Sequence, residues 1–114
     1  MLTIYHNPRC SKSREALSLL EQSGQPFQVI EYLKTPPTAD ELVSLLQKLN
    51  ITARQLLRTK EDEYQQQQLD NPALSEQQLI TAMVATPKLI ERPIVVKGDK
   101  AAIGRPVTNI SGIL

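Results

Sequence analysis

Two short apolar runs bracket one helical stretch at the start of this chain, and that order leaves few folds open. Leu2, Ile4 and Tyr5 form a β-favouring run, which Asn7-Pro8 breaks. A helix begins at Ser11, with Ser11 or Ser13 as the expected cap, and Ala16, Leu17, Leu19 and Leu20 supply its apolar side. Gly24 is placed to end that helix, and Pro26 follows at the usual distance. Phe27, Val29, Ile30 and Tyr32 make the next strand. Strand, helix, strand in this order predicts a βαβ unit whose two strands run parallel, because the helix carries the chain back to the starting edge.

The middle of the chain is helical by its start and stop signals. Thr35-Pro36-Pro37-Thr38 is a loop, and Thr38 with Glu41 reads as a capping box. The helix it opens puts Leu42, Leu45, Leu46 and Leu49 on one face, and Asn50 can close it. A second turn over 53–58 carries Leu56 and Leu57 and ends in the basic pair Arg58 and Lys60. The glutamine-rich stretch 64–69 reads as a solvated helix or loop. Ser75 with Gln78 is another capping box, and Leu79, Ile80, Met83 and Val84 mark an amphipathic helix that stops before Pro87.

Strands return in the last third. Pro93-Ile94-Val95-Val96 is a continuous apolar run, as in a strand covered on both faces. Residues 97–100 read as a hairpin turn, Ala101-Ala102-Ile103 as the partner strand, and 107–114 as a short closing helix. A βαβ unit joined through helices to a ββα unit is the layout of a thioredoxin-like α/β fold. Here an all-helical insert, roughly 38–89, separates the βαβ unit from the C-terminal β-hairpin. The 114 residues are expected to form one domain. In a thioredoxin-like fold the X-Pro bond that opens the third strand faces the active-site cysteine and is cis, which predicts a cis Arg92-Pro93 bond.

Composition narrows the functional classes. A hydrophobic fraction of 40%, a charged fraction of 22% and a net charge of +1 describe an ordinary globular chain and argue against nucleic-acid or membrane binding by the whole surface. No signal peptide and no membrane span are read, so a cytoplasmic location is expected. A monomer is expected as well. A single cysteine excludes an internal disulfide, and one cysteine with one histidine argues against a protein-only zinc site, so no metal is expected.

That cysteine is where the chemistry begins. Cys10 stands at the start of the first predicted helix, where the dipole and free N–H groups favour thiolate over thiol. Arg9 and Lys12 flank it and Arg14 lies one turn on. The same N–H groups, with Arg9, Ser11, Lys12 and Ser13, form a candidate anion loop. A thiolate beside an anion site suits the reduction of an oxyanion. The spacing Cys10-Ser11-Lys12-Ser13 lacks the second thiol that resolves a mixed disulfide, so a redox cycle needs an outside thiol such as glutathione or a partner protein. No tightly bound cofactor is called for. For His6 two readings stand open: tuning the thiolate or bonding the loop, and a purely structural histidine.

The motifs TIYHNPRC with SR at 13–14, EYLKTPPT at 31–38, LLR at 56–58, ERPIVV at 91–96 and GRP at 104–106 run nearly end to end. With them the chain resembles the glutaredoxin-dependent arsenate reductases, the ArsC family. The resemblance implies that Cys10 is the nucleophile on arsenate and that Arg58, Arg92 and Arg105 bind the oxyanion and its arsenic adduct. It also implies that His6 helps position or ionise the thiol, and that glutathione and glutaredoxin supply the other thiols. Three arginines offer rigid donor forks to a tetrahedral anion and stabilise the charge that builds during attack. The chain departs from the well-studied branch of the family in carrying Arg9, Ser11 and Lys12 around the cysteine, where that branch has small neutral residues. Two rival readings are an Spx-like redox regulator that binds RNA polymerase and an orphan glutathione-linked reductase of the same fold. Ser13, in place of a second cysteine, and Arg105, in the GRP motif, favour the enzyme over the regulator.

Overall fold

The computed structural model describes residues 2–114. The chain forms two compact units. One comprises the residues up to Thr35 together with Arg92–Leu114, and the other Pro36–Glu91.

The first unit is built on a four-stranded sheet. Strands β1 (Leu2–Tyr5), β2 (Phe27–Ile30), β3 (Ile94–Lys97) and β4 (Lys100–Ile103) are ordered β2-β1-β3-β4. β1 and β2 are parallel, with Leu2 opposite Phe27 and Tyr5 opposite Ile30. β3 runs antiparallel to β1, Ile4 facing Val95, and β4 completes the hairpin. The crossover is helix α1 (Ser11–Ser23), which ends where Gly24 takes the left-handed conformation at φ 72°. A side chain would strain that backbone, so glycine is the stop signal here. Leu2 and Ile4 of β1, Ala16 and Leu20 of α1 and Val95 of β3 close into one buried cluster with Ile110 of the last helix, α6 (Thr108–Ser111). Burying a side chain of this kind contributes about 1.5–3 kcal/mol, and the cluster holds α1 against the sheet.

The second strand is shorter than the apolar run suggests. It stops at Ile30, and Tyr32 is buried beyond it rather than in it. The closing helix is likewise one turn, not eight residues.

The second unit is all helical apart from one bridge. Its elements are α2 (Ala39–Leu49), α3 (Ala53–Leu56), α4 (Asp62–Gln66), α5 (Glu76–Ala85) and a 3₁₀ turn over Pro87–Leu89. The boxes read at Thr38–Glu41 and Ser75–Gln78 are both formed, and a third stands at Thr52–Gln55. Asn50 closes α2 in the left-handed region at φ 57°. Leu42, Leu45 and Leu46 of α2 are buried, as are Leu79, Ile80 and Met83 of α5. Leu57 bridges Ile90 in antiparallel fashion, with Arg58 N–H donating to Leu89 O at 2.8 Å and Glu91 N–H to Leu56 O at 3.0 Å. This short ladder fixes Arg58 beside Glu91.

Candidate active site

The loop from His6 to Cys10 carries the chain from β1 into α1. Its shape comes from its own polar groups. Cys10 N–H donates to Asn7 O at 3.0 Å, Arg9 N–H to Asn7 Oδ1 at 3.0 Å, and Arg14 Nη1 to Pro8 O at 2.9 Å. His6 N–H donates to Ile30 O at 2.8 Å, which pins the loop's first residue to the end of β2.

Ser13 closes the loop from the helix side, and it is not the cap the sequence suggests. The N-cap residue is Cys10 itself, with extended backbone. The Ser13 side chain is fully buried and turned back into the loop. Its Oγ accepts from Asn7 N–H at 3.0 Å and hydrogen-bonds His6 Nδ1 at 2.7 Å. His6 is buried as well. Burial lowers the His6 pKa, and Arg14 lowers it further, against the opposing charge of Glu31. The neutral imidazole is therefore favoured, with Nδ1 engaged by a serine.

Cys10 is buried at 8% exposure. Burial alone would raise its pKa. The Ser13 and Lys12 backbone N–H groups and the Arg92 guanidinium outweigh that, and the thiol is held below its ordinary value. Arg105 Nη2 lies 3.5 Å from Sγ. Its Nε donates to Arg92 O at 2.7 Å, so the two arginines are tied together at the cysteine. Gly104, just before Arg105, is tightly packed. A Cβ there would meet Ile110 Cδ1 at 2.7 Å and Pro93 Cγ at 2.8 Å. The Arg92-Pro93 bond is cis as expected, and the Arg105-Pro106 bond, not foreseen, is cis too.

The neighbours of Cys10 in sequence act differently from the expectation. Lys12 Nζ pairs with Glu15 at 3.9 Å, and Arg14 is spent on the loop carbonyl. Arg9 and Ser11 are exposed. What favours the thiolate is thus the helix start and an arginine 82 residues away in sequence, not the adjacent side-chain cations. Ser13 serves the loop through its hydroxyl and the sulfur only through its backbone.

Arg58 belongs to the helical unit. There its Nη1 donates to Glu91 Oε1 at 2.8 Å and its Nε to Glu61 Oε1 at 3.2 Å. Sequence reasoning missed both carboxylates as partners. Glu61 was legible at i+3, whereas Glu91 is brought in by the 57–90 bridge.

A parallel–antiparallel sheet of this order, with a lone cysteine opening the first helix beside paired arginines, defines a protein of thioredoxin-like fold. The chain belongs to the ArsC family, whose model matches residues 5–113. It is similar to an arsenate reductase of Neisseria meningitidis serogroup A, 49% identical over 99% of this chain and 97% of that one. It is 53% identical to YfgD of Escherichia coli K12, over 97% of this chain and 94% of that one, a protein whose name states no activity. Among solved structures, an arsenate reductase from Vibrio cholerae superposes with a TM-score of 0.96 at 48% identity, covering 99% of this chain and 97% of that one. No helix among the described residues is long and apolar enough to cross a membrane.

Proposed function

We propose that this protein reduces arsenate to arsenite, with Cys10 as the nucleophile and with glutathione and glutaredoxin as the external thiols. The observation that carries the reading is the Cys10 sulfur at a helix start, with Arg105 at 3.5 Å and Arg92 favouring its anion. The similarity to arsenate reductases over nearly the whole chain supports the substrate. Thiolate attack forms a sulfur–arsenic bond and expels an arsenic oxygen as water or hydroxide. Arg92 and Arg105 offset the charge of the oxyanion as the bond forms. Arg58 is assigned to the same oxyanion on the family resemblance alone. Carrying As(V) to As(III) takes two electrons, which a pair of thiols supplies by leaving as a disulfide. The chain has one cysteine, so glutathione adds to the arsenic and glutaredoxin completes the reduction that releases arsenite. His6, tied to Ser13, acts by positioning the loop around the thiol.

The test is an NADPH-coupled assay with glutathione, glutathione reductase and glutaredoxin, run with and without arsenate. Arsenate-dependent turnover that Cys10→Ser abolishes is the expected result. Turnover with another glutathione-linked substrate and none with arsenate would select the orphan-reductase reading. The similarity to YfgD is the reason to run that arm.

A further inference from the structure

We propose that the cleft beside the thiol loop holds a carboxylate of the thiol co-substrate, with Arg9 and Lys34 as its cationic wall. The choice of glutathione as that co-substrate rests on the function proposed above. The cleft encloses about 210 Å³ between the His6–Arg9 loop and Glu31, Leu33 and Lys34. Arg9 immediately precedes Cys10, and adjacent Cα atoms lie about 3.8 Å apart, so one wall of the cleft is the loop that carries the thiol. The Arg9 backbone is fixed by Asn7 Oδ1, while its side chain is exposed and has no ion pair among the described residues. Lys34 Nζ is 3.7 Å from Glu31 Oε1, a loose and solvated pair at 78% and 42% exposure that an incoming carboxylate can join. Leu33, at 44% exposure, gives the cleft an apolar edge for the aliphatic part of a ligand. Two cations against one carboxylate leave the lining net positive. Glutathione carries two carboxylates and one ammonium, so it complements that lining, and an uncharged thiol does not. A bare oxyanion would make no use of Leu33 and Pro8.

The test uses the whole protein and two disulfides, glutathione disulfide and uncharged hydroxyethyl disulfide. In each reaction the Cys10 thiolate attacks one sulfur, a Cys10–sulfur bond forms, the disulfide breaks and the other half leaves as a thiolate. With one cysteine in the chain there is one adduct to follow by intact mass. The ratio of the two rates cancels any change in the reactivity of the thiol itself. In the double variant R9A/K34A the ratio should fall roughly fivefold, as two exposed charge contacts are lost. The control K60A/K100A, two exposed lysines elsewhere, should keep the wild-type ratio. An unchanged ratio in R9A/K34A, or an equal fall in the control, overturns the proposal. The assay contains no arsenate, so failure of arsenate reduction and failure of the subsite are read separately.

Discussion

Ser13 occupies the place where a dithiol oxidoreductase carries its second sulfur, and its hydroxyl is turned away from the chemistry. It joins Asn7 N–H and His6 Nδ1 inside the loop, while its backbone N–H favours the thiolate. Removing the hydroxyl leaves two buried polar groups without that partner. Ser13→Ala should therefore cost about 2 kcal/mol of stability, measured by denaturant unfolding. It should also loosen the register between the loop and α1. The pH midpoint for alkylation of Cys10 by iodoacetamide should move up toward that of an ordinary thiol. Lower stability with an unmoved midpoint would confine Ser13 to a structural role. This is a residue whose type was legible and whose partner was not. A serine three residues after a cysteine at a helix start looks like a cap, and only the burial of His6 shows why it turns inward.

At the scale of elements, the sequence spoke most clearly where structure is local. Thr38–Glu41 and Ser75–Gln78 are contained within single turns, and both are formed as read. Gly24 and Asn50 stop their helices with the backbone that these residue types tolerate best. What escaped was set by contacts distant in the chain. The Arg58–Glu91 pair depends on the Leu57–Ile90 bridge, and the effect of Arg92 on Cys10 depends on β3 lying beside β1. The GRP turn falls between these cases. Its motif was visible, but the need for glycine is steric. Gly104 packs against Pro93 and Ile110, and its N–H donates to Pro93 O at 2.9 Å. Gly104→Ala should cost about 1–3 kcal/mol through overpacking. It should also weaken arsenate binding by displacing Arg105. Unfolding curves and the KM for arsenate check the two effects. A stable variant with unchanged KM would show that the turn accommodates a methyl group and that Arg105 does not depend on it.

For the whole molecule, the near-neutral range of pH belongs to very few side chains, because the sequence contains one histidine and one cysteine. Both have folded-state pKa values below their ordinary ones. For His6 the unfolded chain binds a proton at a pH where the folded chain, burying the imidazole, does not. Stability should therefore fall as pH drops below about 6.5, and the fall should level off once pH is below the folded His6 value. His6→Gln should remove that step. For Cys10 the sign is that of an acid with a depressed pKa. Its stabilisation is fully present above the unfolded thiol value and is lost as pH falls through the folded one. Subtracting the stability of Cys10→Ser from that of the wild type should give a difference that rises with pH between those two values and is flat above them. Chemical denaturation from pH 5 to pH 10 measures both. A difference curve with no rise would mean that the helix start and Arg92 do not favour the thiolate in the folded protein. The nucleophile proposed for this site would then lose its electrostatic basis.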